Sequence, residues 1–165
     1  MKPWPLRTQE EAHLFNPAFC CAVLTLAIST YATRGTARMP FPLAFLVLPI
    51  ILHKRTREDL PRSTTTSLAA WMQQNQEVRL QFHERVMALK PHTKEAIRFG
   101  VQHKWLELQH DGELSATQGT ARIRAKTDAL NGEAKECAAK AALVGKWFSS
   151  AGTAETVMTL WGVRP

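Results

Sequence analysis

Apolar positions along the chain change their period several times, and each change marks an element. From Asn16 to about Thr33, Phe19, Val23, Leu26 and Ala27 recur at helical spacing, while Cys20, Cys21, Leu24 and Ile28 fill the other side. Asn16-Pro17 is a helix start: asparagine accepts from the first unpaired N–H groups, and proline there gives up an N–H that has no partner. A stop is expected near Gly35. A helix apolar nearly all round belongs at the centre of its fold. The run Leu43 to Leu52, LAFLVLPIIL, is the most hydrophobic of all. Pro49 argues against a strand interior and predicts a short, buried helix that kinks or restarts there. Together the two runs hold more apolar surface than one small core requires, so either they pair as a core or part is covered by a partner.

Further along, Leu68, Ala69, Trp71 and Met72 predict a helix over 66–75, behind a hydroxyl-rich connector (RSTTTS) able to cap it. Val78, Phe82, Val86 and Leu89 predict a second over 76–89. Lys90-Pro91 should end it, because a residue before proline resists the α conformation. A third helix, 93–104, would start at Thr93 with Glu95 in its first turn. It would turn Ile97, Gly100 and Val101 inward and Lys94, Arg98 and Gln102 to another face. Period 2 then takes over in a hairpin, 105–117. A two-residue Asp-Gly loop would pair Leu108 with Ser115. A three-residue His110-Asp111-Gly112 loop pairs Leu108 with Leu114 and Leu106 with Ala116, gathers the apolar side chains on one face and puts glycine at the left-handed position.

This order of elements predicts a mainly α fold: a helical bundle with a winged helix-turn-helix-like unit and one short β-hairpin wing. The expected segments are an N-terminal arm with hydrophobic helices (1–65), the winged unit (66–120), and a linker with C-terminal helices (121–165), as one compact domain. Within the last, Gln118 to Asn131 reads as a polar linker and Glu133 to Ser150 as a helix with Cys137, Ala141, Val144 and Phe148 inward. Gly152 and Thr153 punctuate a short helix, Ala154–Leu160, and Trp161 and Val163 pack back.

Charge changes the picture modestly. Lys and Arg number 21 against 14 Asp and Glu, a net +7 with no polybasic run. That fits a phosphate-rich partner and equally a basic subunit docked on an acidic one. Three cysteines, two of them adjacent, are not a disulfide framework, so a cytoplasmic setting is expected. Neither apolar run reaches the roughly 20 residues of a membrane helix, and the N-terminus, broken by prolines and carrying acids, is unlike a signal peptide.

Candidate chemistry is sparse. The sequence has no phosphate-cradling glycine loop, nucleophile elbow or metal-ligand spacing, so no enzyme activity, metal or cofactor is expected. Glu107 and Glu113 are a conceivable metal pair, weighed against two solvent-facing acids on a wing. The cluster His53 to Asp59 either grips an anion or is a solvated turn. Candidates for DNA contact are Lys94, Arg98, Gln102, Lys104, His110, Arg122, Arg124 and Lys126. Candidates for a partner interface are Trp4, Phe41, Leu43, Phe45, Leu46, His53, Lys54, Arg57 and Trp161.

Four blocks in order, MPFPLAFLVLPIILHKRTREDLP, the helix–hairpin stretch Pro91–Thr117, GKWFSSAG and LWGVRP, resemble the middle component of bacterial three-component ABC ATPase systems over nearly the whole chain. The resemblance implies a non-enzymatic accessory subunit beside a coiled-coil, SMC-like ABC ATPase and, often, an effector such as a nuclease. It further implies engagement of double-stranded DNA through the complex and a setting of anti-phage and anti-plasmid defence of the Lamassu type. A free-standing winged-helix transcription factor and a small nuclease are the competing readings.

Overall fold

The computed structural model describes residues 15–31, 38–117 and 120–164. The N-terminal arm with Trp4, the basic loop from Arg34 and the Gln118–Gly119 link lie outside them. Among the described residues there are eight α-helices and a small antiparallel sheet: α1 (Pro17–Tyr31), β1 (Met39–Pro40), α2 (Phe41–Ile51), α3 (Lys54–Asp59), α4 (Leu68–Gln74), a 3-10 turn (Gln76–Arg79), α5 (Phe82–Gln102), β2 (Leu106–Leu108), β3 (Glu113–Ala116), α6 (Thr120–Asp128), α7 (Gly132–Ser150) and α8 (Ala154–Leu160).

The first apolar run becomes the hub. Asn16 caps α1, its Oδ1 accepting from the Ala18 N–H at 2.9 Å. Ten of the 15 residues of α1 are buried, which leaves it no solvent side. It is covered by α7, α5, α2, α6 and β3 in turn. Two glycines set how close those neighbours come. A Cβ on Gly145 of α7 would lie 2.0 Å from the Ala27 carbonyl oxygen and 2.3 Å from Thr30 Oγ1. A Cβ on Gly100 of α5 would meet Cys21 Sγ and Leu106 Cδ1, each at 2.8 Å. Leu43, Leu46, Leu48, Ile50 and Ile51 of α2 are at most 1% exposed, so the excess of apolar surface in the sequence is absorbed within the chain itself.

The hairpin forms in the three-residue-loop register, Leu106 opposite Ala116 and Leu108 opposite Leu114, with Gly112 at φ +79°. Leu114 is buried, but Leu108 at the outer edge stays 49% exposed. A third strand joins it: β1 pairs with β3, Met39 opposite Leu114 and Pro40 opposite Glu113. Proline is tolerated there because the strand is at the edge. The Phe41 N–H, at the start of α2, donates to the Gly112 carbonyl at 3.0 Å.

Four expectations are corrected. α5 runs unbroken through Pro91, so the second and third expected helices are one and no helix-turn-helix forms between 82 and 102. Thr93 and Glu95 lie mid-helix, and Thr93 Oγ1 donates to the Leu89 carbonyl at 3.1 Å. Pro91 is on the exposed side, and burial of Val86, Ala96, Ile97 and Gly100 on both flanks outweighs the roughly 3 kcal/mol a mid-helix proline costs. Helix α2 likewise passes through Pro49 without a restart. The expected linker after the hairpin contains α6, which buries Ile123 and Thr127. Finally, the His53–Asp59 cluster is a helix, not a loose turn, and one of its cations is core: Arg57 is 1% exposed and pairs with Glu133 and with Glu136 (3.2 Å), while its Nη1 donates to the Ile51 carbonyl at 2.7 Å.

The C-terminal part closes the core as expected. Thr153 caps α8, accepting from the Thr156 N–H at 3.3 Å, and Trp161 is fully buried. Its ring lies 4.5 Å from Phe82 and 6.0 Å from Trp71, which packs edge-on against Trp147. The indole N–H groups of Trp71 and Trp147 donate to the Asp59 and Thr66 carbonyls at 3.2 and 2.8 Å, pinning the connector between α3 and α4.

The glycine contacts make a ranked prediction. Gly145→Ala must push α7 off the α1 backbone and should cost roughly 1–3 kcal/mol. Gly112→Ala meets no atom within 4 Å and pays only the left-handed backbone cost of about 1 kcal/mol. Urea denaturation midpoints of the two variants check the order.

Candidate partner-docking groove

One surface feature joins residues that the sequence separates. An apolar groove of about 380 Å³ opens between α2, α5 and the segment after α8. Phe41 and Phe45, one turn apart on α2, stand edge to face with centroids 5.2 Å apart. Val86 and Met87 of α5, with Met158 and Val163, complete the apolar lining, and Met87 is 52% exposed. His83, Lys90, Lys94 and Arg164 surround it, and among the described residues no carboxylate lines it. His83, Met87, Lys90 and Lys94 follow helical spacing, so the unbroken α5 is what places them in one row. A break at Pro91 would have separated Lys94 from Met87.

The groove combines one residue from the expected DNA-contact set, Lys94, with two from the expected partner-interface set, Phe41 and Phe45. The remaining cation candidates are all exposed. Arg98 and Gln102 continue along α5, Arg122, Arg124 and Lys126 lie on α6, and His110 sits in the hairpin turn. They sit on separate elements: α6 packs on α1 and α7, whereas α5 packs on α1 and α2.

Lys104, two residues past the end of α5, has φ +56°. The Lys104 and Trp105 N–H groups donate to the Val101 and Gly100 carbonyls at 3.2 and 2.8 Å, a helix terminus in which glycine normally takes the left-handed place.

Four of the interface candidates have no surface to offer. Leu43, Leu46, Arg57 and Trp161 are each at most 1% exposed and belong to the core. His53 and Lys54 are exposed at the start of α3. Trp4 lies outside the described residues. Glu107 stands opposite Ser115, and Glu113 opposite Pro40, so the two acids do not face one another across the strands. Met87, Lys90 and Arg164 were missed; the signal that could have found them is an apolar residue inside a basic row on one helix.

A family model described as ABC-three component (ABC-3C) system Middle Component 3 matches residues 4–165. The chain belongs to that family. Neither the curated proteins nor the solved structures contain a significant match. A middle component works with the other components of its system. Among the described residues, no helix is long and apolar enough to cross a membrane.

The thiols of this middle component are unreactive by environment. Burial, with neighbouring Cys21 and Glu95 adding to it, pushes Cys20 up to about 12. Burial likewise pushes Cys21 up to about 11, against a contact with Thr25 that favours the thiolate. Cys137 is raised too, first by burial and despite the nearby Arg57. A thiol reagent at neutral pH should therefore label none of the three in the native protein within minutes and all three in denaturant, counted by mass spectrometry.

Proposed function

We propose that this chain is a non-enzymatic accessory subunit that binds the coiled-coil, SMC-like ABC ATPase of its system. It does so by receiving an acidic, amphipathic segment of that partner in the groove between α2 and α5. The complex, with an effector that on this reading is a nuclease, engages or senses double-stranded DNA in anti-phage and anti-plasmid defence.

The groove carries the reading. An exposed methionine and two half-buried phenylalanines supply an apolar floor of the kind that receives one face of a helix. Lys90, Lys94 and Arg164 at its edge select for acids beside the apolar face. The alternative, a free-standing winged-helix transcription factor, needs a separate recognition helix, and α5 has no break from which to make one. The exposed Arg98 leaves DNA backbone contact open to the assembled complex, since such contact asks for cations but not for a recognition helix.

The test is co-purification with the system's ATPase. Met87→Asp and the double variant Lys90→Glu/Lys94→Glu change exposed side chains, so melting temperature should stay within about a degree or two of wild type. Affinity for the ATPase should fall at least tenfold in each, as expected when a groove anchor or its charge match is removed. Undiminished binding by both variants would remove the groove from the interface. Separately, Arg98→Glu, outside the groove lining, should weaken DNA binding by the assembled complex and flatten its salt dependence by about one unit. If that variant loses assembly while DNA binding by the chain is untouched, the face of α5 serves protein alone.

A further inference from the structure

A second cleft, of about 480 Å³, lies between α3, the 3-10 turn and the start of α5, and the docking groove does not use it. Its polar lining is His53, Arg55, Thr56, Gln81 and Arg85, with Asp59 and Glu77 also on its wall. We propose that it binds a phosphate group carried by a small molecule.

Arg85 is the reason. Its Nη1 donates to Thr56 Oγ1 at 3.0 Å, its Nη2 donates to the Val78 carbonyl at 2.8 Å, and its guanidinium carbon lies 5.3 Å from the Phe82 ring centre. The cation is thus held in one orientation by neutral groups, and among the described residues no carboxylate lies within ion-pair distance. Its Nε is buried without a hydrogen-bond partner. The comparison with Arg57 is direct: the fold buries Arg57 and pairs it with Glu133 and Glu136, whereas half-buried Arg85 has no ion pair among the described residues. Burial alone holds Arg85 below the ordinary arginine range. A half-buried guanidinium held in this way gains from an oxyanion.

The tautomer of His53 adds a donor. His53 Nδ1 accepts from the Thr56 N–H at 3.3 Å, so the Thr56 hydroxyl, 2.8 Å away and itself accepting from Arg85, donates to the same nitrogen. Nδ1 is therefore an acceptor, and the proton of the neutral ring is on Nε2. Burial, and after it Arg85, Arg55 and Arg57, hold the His53 pKa down against the opposing Asp59. An anion in the cleft raises it, so the His53 pKa should be higher with the ligand bound than without it. Asp59 and Glu77 are the carboxylates lining the same cleft. They disfavour a polyanion such as DNA and favour one small ligand. Leu80, 71% exposed at the same cleft, offers apolar surface to whatever carries the phosphate.

The full chain is titrated with inorganic phosphate and, separately, with adenosine monophosphate, at constant ionic strength in chloride. The imidazole signals are followed by NMR, with His53→Gln to assign the His53 ring. The expected result is a saturable His53 shift with a raised pKa, weakened at least tenfold in Arg55→Gln and abolished in Arg85→Gln. Should Arg85→Gln not fold, Arg55→Gln, which changes an exposed side chain, carries the test. Tighter binding of the nucleotide identifies an ester as the ligand class, and equal binding identifies free phosphate. A shift that never saturates with either probe, or equal binding by Arg55→Gln, overturns the proposal.

Discussion

A helix with no polar face must be covered from every direction, and α1 imposes that demand on the rest of the chain. Five elements meet it, and two of them meet it only because glycine lets them in. At Gly145 the backbones of α7 and α1 approach so closely that a methyl group has no room beside the Ala27 carbonyl. Contacts of this kind gain dispersion energy along two backbones at once. The hairpin depends on the same constraint, since Leu106 packs where Gly100 leaves its space. Even the groove follows from it. Once α5 and α2 have committed their apolar sides inward, Phe41, Phe45 and Met87 are left at the seam.

The two arginines illustrate how differently one fold treats similar chemistry. Arg57 is drawn into the core and matched by two acids from a helix far along the chain, which joins α3 to α7 in a single arrangement. Arg85 is fixed as firmly but by neutral acceptors. The first is architecture, and the second leaves electrostatic work undone. The groove on another side is the reverse case, apolar surface without a cover and cations around it without acids.

Much of this was legible in the sequence where local rules act alone. The Asn16 cap, the hairpin register around Gly112, the α7 stripe from Cys137 to Phe148 and the Thr153 cap depend on neighbours within a few positions. The illegible parts are those in which distant packing overrides a local cost. Pro91 should end a helix by its own chemistry, and only the buried residues on both sides carry α5 through it. Arg57 looked like part of a solvated or anion-gripping cluster because Glu133 and Glu136 lie more than 70 positions away. β1 is two residues long, and the second is a proline, so no periodicity announces it. Of the groove, Phe41, Phe45 and Lys94 were each noticed for separate reasons. That they share one surface depends on how α2 crosses α5, which no spacing encodes.

The bond from the Phe41 N–H to the Gly112 carbonyl links two places that otherwise have little in common. The hairpin tip joins β2 to β3, and Phe41 is the first residue of the helix that walls the groove. β1, only two residues long, pairs with β3 and leads directly into α2. The turn that carries His110 and the helix that walls the groove thus share one backbone bond, laid beside a two-residue edge strand.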